Sequence, residues 1–512
     1  MAGAALRRGL LRCYRLASIA PPSPAPRNVD ALTCRPHAAA PFPLAGISGL
    51  FIPILSERQL PSGLRGFAAG VARERTAVTA RLWNARLEAA KAAGVEDQCS
   101  GTKPQSELVP KAPHRTSVRY AFERDDDLRE AYRNPWHGVR MGRVIEDLDS
   151  LAGNIAFQHC DDANPMTRPQ LLVTASVDRV RLLRPMALDE DMVLSGAVAW
   201  VGRSSMVIRM EAWPADHPDA PRDATEENDA KRRTTKTYEP GPSLSADFTF
   251  VARDAITNRA AAVNPLVPGT TTEKALFDAV ERRVEAKKKR AKLRATGDAG
   301  LSEALMAAKA AFVEEQTRAS RLLHELPALV PTNVISVDAT RAENIFVAQP
   351  QQRNLSGRIF GGFLLRRAFE LAFATAYVFG GVRPVFKQVN DMDFLRAVDI
   401  GDLLRFRARV LHASVRKGGR VCVDVEVEAL VTKPEAVTSD VSNTFMFSFY
   451  VGGESGVEGG EEREGTKCVA ARTRVLPTSR EEAAHIWERC ERPRLEAELR
   501  VRETSSGIIG DA

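Results

Sequence analysis

"NLSGRIFGGFLLRRAFELAFATA", residues 354–376, decides the fold. Its apolar residues run around nearly the whole helical circumference instead of along one stripe, so the helix must be buried on most sides. Gly361 and Gly362 stand where that helix should begin, a place where a capping side chain is expected. They leave the first amides bare. Beyond it, "VFGGVRP" (378–384) stops the helix, with Gly380 and Gly381 for a left-handed turn and Pro384 against continuation. "VCVDVEVEALV" (421–431) then alternates with the period of a strand, and "FMFSFYV" (445–451) closes a sheet. A helix apolar on nearly every side, followed by such strands, calls for a curved antiparallel sheet wrapped around it.

The same order occurs earlier in the chain. "GRVIEDLDSLAGNIAF" begins at Gly142 and "GRIFGGFLLRRAFELAF" at Gly357, an offset of 215, which recurs between the Arg-Pro pairs at Arg168 and Arg383. "LLRPMALDEDMVLSGAV" (182–198) aligns with "FLRAVDIGDLLRFRARV" (394–410), and the offset is 211 at Asp191 and Asp402. "FTFVARD" from Phe248 echoes "FSFYVGG" from Phe447. Order is kept while spacing drifts, as in an internal duplication whose copies gained different loops. One sheet covers one face of a buried helix and leaves its edges open. Two copies in one chain therefore predict a pseudo-dimer with the sheets joined edge to edge.

The boundaries expected from composition are a leader over 1–70, a helical lead-in over 71–117 and a first strand-rich unit over 118–253. A charged helical connection over 254–335, a second unit over 336–452 and a Gly/Glu linker with a terminal helix over 453–512 complete the chain. The terminal helix has Thr478 three residues before Glu481, a capping-box start. The 512 residues carry a net charge of +7, much of it near the N-terminus, where five arginines precede the first acid, Asp30. Arginines separated by apolar residues have the composition of an organelle transit peptide, for the mitochondrial matrix or alternatively a plastid, and not of a secretory signal with its continuous apolar core. No apolar run reaches the roughly 20 residues that span a bilayer. The seven cysteines form no CxxC pair and have no neighbouring histidines, so neither a zinc site nor a disulfide framework is indicated. No Rossmann fingerprint, Walker loop or serine-nucleophile elbow occurs, which points to cofactor-free chemistry. The basic run "VEAKKKRAKLR" (284–294) reads as a solvated connecting helix and not as a nucleic-acid surface.

Three stretches, "NPWHGVRMGRVIEDLDSLAG" (134–153), "FVARD" with "AVNPLVP" (250–268) and residues 353–376, resemble the double-hotdog acyl-CoA thioesterases, especially their mitochondrial long form. The resemblance spans roughly residues 118–451 and implies an α+β fold of two tandem hotdog domains forming an intrachain pseudo-dimer. It also implies hydrolysis of fatty acyl-CoA to free acid and CoA, with no cofactor, and assembly into trimers of double units. By the family's motif, Asn354 takes the position of the Asn that precedes the helix and Asp149 that of the helical acid. In this reading Asp149 activates water as general base or attacks as a nucleophile, and Asn354 orients the water or polarises the carbonyl. Gly361 and Gly362 would admit the thioester carbonyl to the helix's first amides, which stabilise an oxyanion. By the same motif each copy has lost half of it: Phe369 stands where an acid would be and Arg143 in the second glycine position, leaving one working site per chain. His137, Arg353, Arg358 and Lys387 are candidates for contact with the substrate. Two alternatives stay open, a catalytically silent hotdog that binds acyl-CoA as a sensor or scaffold and a dehydratase, although the latter needs a histidine that is missing beside "SGRIFGG".

Overall fold

The computed structural model describes residues 76, 78–82, 84, 107–162, 167, 170–221, 238–295, 301–354, 357–390, 392–452 and 472–496. The leader, the Gly/Glu linker over 453–471 and Arg168 lie outside the described residues.

The first copy runs β1 (Thr116–Tyr120), α1 (Asp126–Tyr132), α2 (Met141–Cys160), β2 (Leu171–Leu182), β3 (Met192–Val201), β4 (Ser205–Pro214) and β5 (Leu244–Arg253). Two charged helices follow, α3 (Thr271–Ala295) and α4 (Glu303–Glu325), then β6 (Val334–Ser336). The second copy has β7 (Ala342–Val347), α5 (Gly361–Gly380), β8 (Val385–Val389), β9 (Met392–Phe394), β10 (Leu403–Val415), β11 (Val421–Lys433) and β12 (Thr438–Val451). β13 (Arg474–Leu476) and α6 (Arg480–Ile486) complete the described chain.

Among the described residues eleven strands form one sheet, in the order β1-β3-β4-β5-β2-β8-β12-β11-β10-β7, with β9 pairing β12 and β2. That order is a palindrome of the duplication: each strand left of the β2–β8 seam has its counterpart at the same distance to the right. The seam is antiparallel, Val177 opposite Met392 and Val180 opposite Val389. The two central helices lie on the inner face of the sheet and pack on each other, and their apolar residues merge into a single core. In α5, Phe369 meets Phe386, Phe447 and Phe449 with ring centroids 5.3 to 5.9 Å apart. Gly381, at φ 68°, ends that helix in the left-handed conformation. The fold is the expected pair of tandem hotdogs.

The repeat register differs from the 215 read from the sequence. α2 starts at Met141 and α5 at Gly361, each 20 residues long, an offset of 220. Matching the two Gly-Arg pairs had set a residue of the helix's first turn, Gly142, against one of the preceding loop, Gly357. The counterpart of Gly362 is therefore Gly142 and not Arg143. Strand offsets stand as read, since Asp191 and Asp402 each immediately precede equivalent strands, β3 and β10.

The charged helices are docked. Arg283 and Lys287 of α3 pair with Asp247 (2.6 Å) and Asp178 (2.9 Å) of the first copy's sheet, so the basic run is not simply solvated. At the far end Ser479, not Thr478, caps α6 by accepting from the Glu482 amide, and Glu482 in turn accepts from the Thr478 amide. This helix and the turn after it cover the second copy, where fully buried Glu426 meets His485 (3.0 Å), Arg409 (2.9 Å) and Arg489 (3.2 Å).

Candidate active site

Each central helix is entered through the same turn. Asn134 accepts at Oδ1 from the Gly138 amide (3.0 Å), as Asn354 does from the Arg358 amide (3.1 Å). The bridges Arg133–Val139 and Arg353–Ile359 close the two loops. His137 and Gly357, again 220 apart, both adopt positive φ, 62° and 78°. Glycine tolerates that conformation freely; a histidine is uncommon there. Neither helix start has a side-chain cap: the N-cap residues are Arg140 and Phe360, and neither side chain bonds to the first turn. The amides at both tips are left to whatever lies opposite.

What lies opposite differs. A Cβ on Gly361 would come within 3.3 Å of Asp149 Oδ2, whereas one on Gly142 would come within 3.3 Å of the Phe369 ring. Asp149 is buried in α2, and Thr174 Oγ1 of β2 donates to its Oδ1 at 3.0 Å. Its Oδ2 is buried without a hydrogen-bond partner among the described residues. Burial raises the carboxyl to about 6, while the Thr174 hydroxyl and the Gly362 amide favour its ionised form. A base in this range is ionised at neutral pH yet still takes up a proton readily. Asp147 and Glu146, which could have made this an exposed acidic face, are buried too. Asp147 accepts hydroxyls from Thr76, Thr79, Tyr120 and Tyr132, a structural role that holds Thr76 and Thr79 against α2.

Comparisons with known proteins place these helix-and-sheet units in a family. Residues 142–220 match the model of the thioesterase superfamily. The chain is 42% identical over 415 residues to the mitochondrial acyl-coenzyme A thioesterase 4 of Humulus lupulus, covering 80% of this chain and 72% of the relative. With the chloroplastic acyl-coenzyme A thioesterase 2 of the same plant it shares 42% over 414 residues, 80% of this chain and 87% of the relative. The human mitochondrial acyl-coenzyme A thioesterase 9 is 32% identical over 63% of this chain and 68% of its own length. The chain belongs to the acyl-CoA thioesterase family.

The remaining candidates of this acyl-CoA hydrolase fall unevenly around the α5 tip. Asn354 lies in the turn before α5, where its Oδ1 accepts from the Arg358 amide, while Asp149 of the other copy faces Gly361 of that helix. Arg353 and Arg358 are exposed in that same turn, Arg358 3.6 Å from Asp399. His137 is exposed in the other turn, before the helix tip that meets Phe369. Lys387 alternates with Phe386, whose ring faces α5, and so lies on the opposite face of the sheet; its Nζ stands 5.1 Å from the Tyr450 ring. Glu370 pairs both across the two copies and along its own helix. It bonds to Arg140 at 2.7 Å and Arg367 at 3.5 Å, and the former staples the Phe369 side shut.

Sequence reasoning missed Thr174, which orients the acid, and Phe394, whose ring would meet a Gly361 Cβ at 3.3 Å. Both are ordinary strand residues by pattern. The only signal was the strand's position next to the seam.

Proposed function

We propose that the chain hydrolyses fatty acyl-CoA to the free acid and CoA at the tip of α5, with Asp149 as general base. The thioester carbonyl oxygen lies against the first amides of α5, at the positive end of the helix dipole. Asn354 orients the attacking water. Asp149 removes one proton as the water oxygen bonds to the carbonyl carbon, the tetrahedral oxyanion is held by the amides, and the C–S bond then breaks. The proton passes to the departing thiolate. Donors already in place for that oxyanion contribute about 3 to 4 kcal/mol to lowering the barrier. Arg353 and Arg358, exposed beside the entrance, suit the phosphates of CoA; His137 and Lys387 are weaker candidates because they flank the other tip and the outer face.

The observation that carries this reading is the buried, open Oδ2 of Asp149 facing Gly361. It favours an enzyme over a silent sensor, since a binding protein gains nothing from an unpaired buried carboxylate oxygen. CoA thiol release by Asp149→Asn tests it. The kcat should fall by about 10² to 10⁴ with circular dichroism unchanged; undiminished turnover would remove Asp149 from the mechanism.

We also propose that residues 118–253 and 336–452 are the two hotdog domains and that double units assemble as trimers. The Arg-rich N-terminus, together with relatives named mitochondrial and chloroplastic, supports an organellar protein, in the mitochondrial matrix or a plastid. A fluorescent fusion to residues 1–70 tests the destination.

A further inference from the structure

Glu146 and Arg366 are 220 positions apart, so they occupy one and the same place in the two copies. They also face each other. Glu146 Oε2 lies 3.1 Å from Arg366 Nε, with side chains 2% and 10% exposed. Around them stand Arg143 and Asp147 from α2, Glu370 from α5, and the Phe363 ring, 5.5 Å from the guanidinium. The pair marks the crossing of the central helices. On one side the Glu146 carbonyl oxygen approaches Gly362, where a Cβ would come within 3.0 Å of it; on the other, the Arg366 side chain approaches Gly142 at 3.3 Å. The pseudo-twofold axis that relates the copies therefore passes between the carboxylate and the guanidinium.

A residue on a true twofold meets itself. Two first copies would set Glu146 against Glu146, and two second copies Arg366 against Arg366, each a buried pair of like charges. Only unlike copies bring opposite charges together. We propose that Glu146 and Arg366 are the positioning pair that seats α2 on α5 in the one arrangement that works, with Asp149 aimed at Gly361, and that they act as a pairing code available only to a tandem chain. Asp149 lies three residues beyond Glu146, on the same face of α2, so rotation of that helix at the crossing would swing the carboxylate away from Gly361. Buried ion pairs add little net stability compared with well-packed apolar residues, and fixing one arrangement is their better-attested use. The inference rests on the reading of Asp149 as the base.

Full-length variants assayed for kcat, KM and melting temperature test it. Glu146→Arg and Arg366→Glu, each placing like charges at the crossing, should lower kcat by about 30-fold or more while KM changes less than about twofold, as a catalytic group displaced by an ångström does. The double swap, Glu146→Arg with Arg366→Glu, should bring kcat back to within about threefold of wild type. Glu146→Leu with Arg366→Met should melt at or above the wild-type temperature yet lose kcat by about tenfold or more, a split that a merely structural pair does not give. A folded Leu/Met chain with wild-type kcat overturns the proposal, as does a folded double swap no better than the single variants. If neither double variant folds, Glu146→Gln decides: kcat reduced about tenfold at unchanged KM supports the pair, and unchanged kcat refutes it. Full activity of Asp149→Asn would instead strike the base assignment and leave these comparisons to be read on their own.

Discussion

The tips of α2 and α5 are one structure used for two purposes. Both are entered through an Asn turn, both lack a side-chain cap, and both point at the ninth residue of the opposite helix. At the α5 tip that residue is Asp149, with one oxygen held by Thr174 and the other open. At the α2 tip it is Phe369, set into a cluster with Phe386, Phe447 and Phe449, and Arg140 reaches across to Glu370. The two copies present tips of equal geometry, of which one faces a buried acid and the other a packed ring. A helix tip thus becomes a site only when the residue facing it is a poor fit for the core.

The comparison is broken most severely at its packed end. Phe369→Ala should lower stability by about 3 to 5 kcal/mol, the usual loss for a buried aromatic cut back to Ala. Activity per folded molecule should stay within about threefold, because the ring packs at the α2 tip and among Phe386, Phe447 and Phe449 and not at the α5 tip. Denaturant unfolding followed alongside CoA release checks both halves of the statement. An equal loss of turnover would mean that the tips are coupled and not divided in labour.

A second contrast concerns pH. Burial holds Asp149 at about 6, above its ordinary value of 3.8. A raised carboxyl favours the folded chain while it is protonated, so this contribution is complete below about pH 4 and is lost as the pH rises through 6. The full shift corresponds to about 3 kcal/mol. Glu426 behaves in the opposite sense: burial pushes it up, but His485, Arg489 and Arg409 outweigh burial and bring it down to about 2. Its stabilisation is present above about pH 4.5 and is lost as the pH falls toward 2. Asp149→Asn should therefore be more stable than wild type at pH 8 by up to about 3 kcal/mol and level with it at pH 4. Thermal unfolding across that range reads the difference, and kcat/KM of the wild type should rise through pH 6 to a plateau near 7. A stability difference independent of pH would mean that the Asp149 carboxyl binds its proton alike in the folded and unfolded chains, so that burial does not raise it.

How much of this was legible follows from the range over which each signal acts. The buried helix, its bare start at Gly361 and its stop at Gly381 are local, and they read directly. The duplication read as well, yet its register slipped by five in the helices, because a Gly-Arg pair recurs by chance on either side of the helix start. Asp149 was found through resemblance to a family and not through its neighbours, which were equally consistent with an acidic surface. Thr174 and Phe394 come to the site only when β2 and β9 meet at the seam, a pairing that strand periodicity does not encode. The contact of Arg366 with Glu146 is hidden for the same reason: it forms only through the packing of two helices. Contacts that cross the pseudo-twofold are invisible until the copies are placed together.

The smallest effects are expected at the glycines themselves, and they test the comparison most directly. A methyl group on Gly361 would stand 3.3 Å from both Asp149 Oδ2 and the Phe394 ring; one on Gly142 would stand 3.3 Å from the Phe369 ring and from the Arg366 side chain. The two substitutions are sterically alike. Each replaces glycine by the best helix former in a first turn, and each asks a neighbour to yield by a few tenths of an ångström. The neighbours differ in what yielding costs. Phe369 can shift within an aromatic cluster, so Gly142→Ala should change stability by less than about 1 kcal/mol and turnover by less than twofold, with the propensity gain offsetting the contact. Asp149 cannot shift without altering the line from carboxylate to water to carbonyl, and the methyl group also intrudes where the thioester oxygen must approach. Gly361→Ala should lower kcat by about tenfold with stability nearly unchanged. Equal kinetics for the two alanine variants would mean that the α5 tip carries no chemistry that the α2 tip lacks.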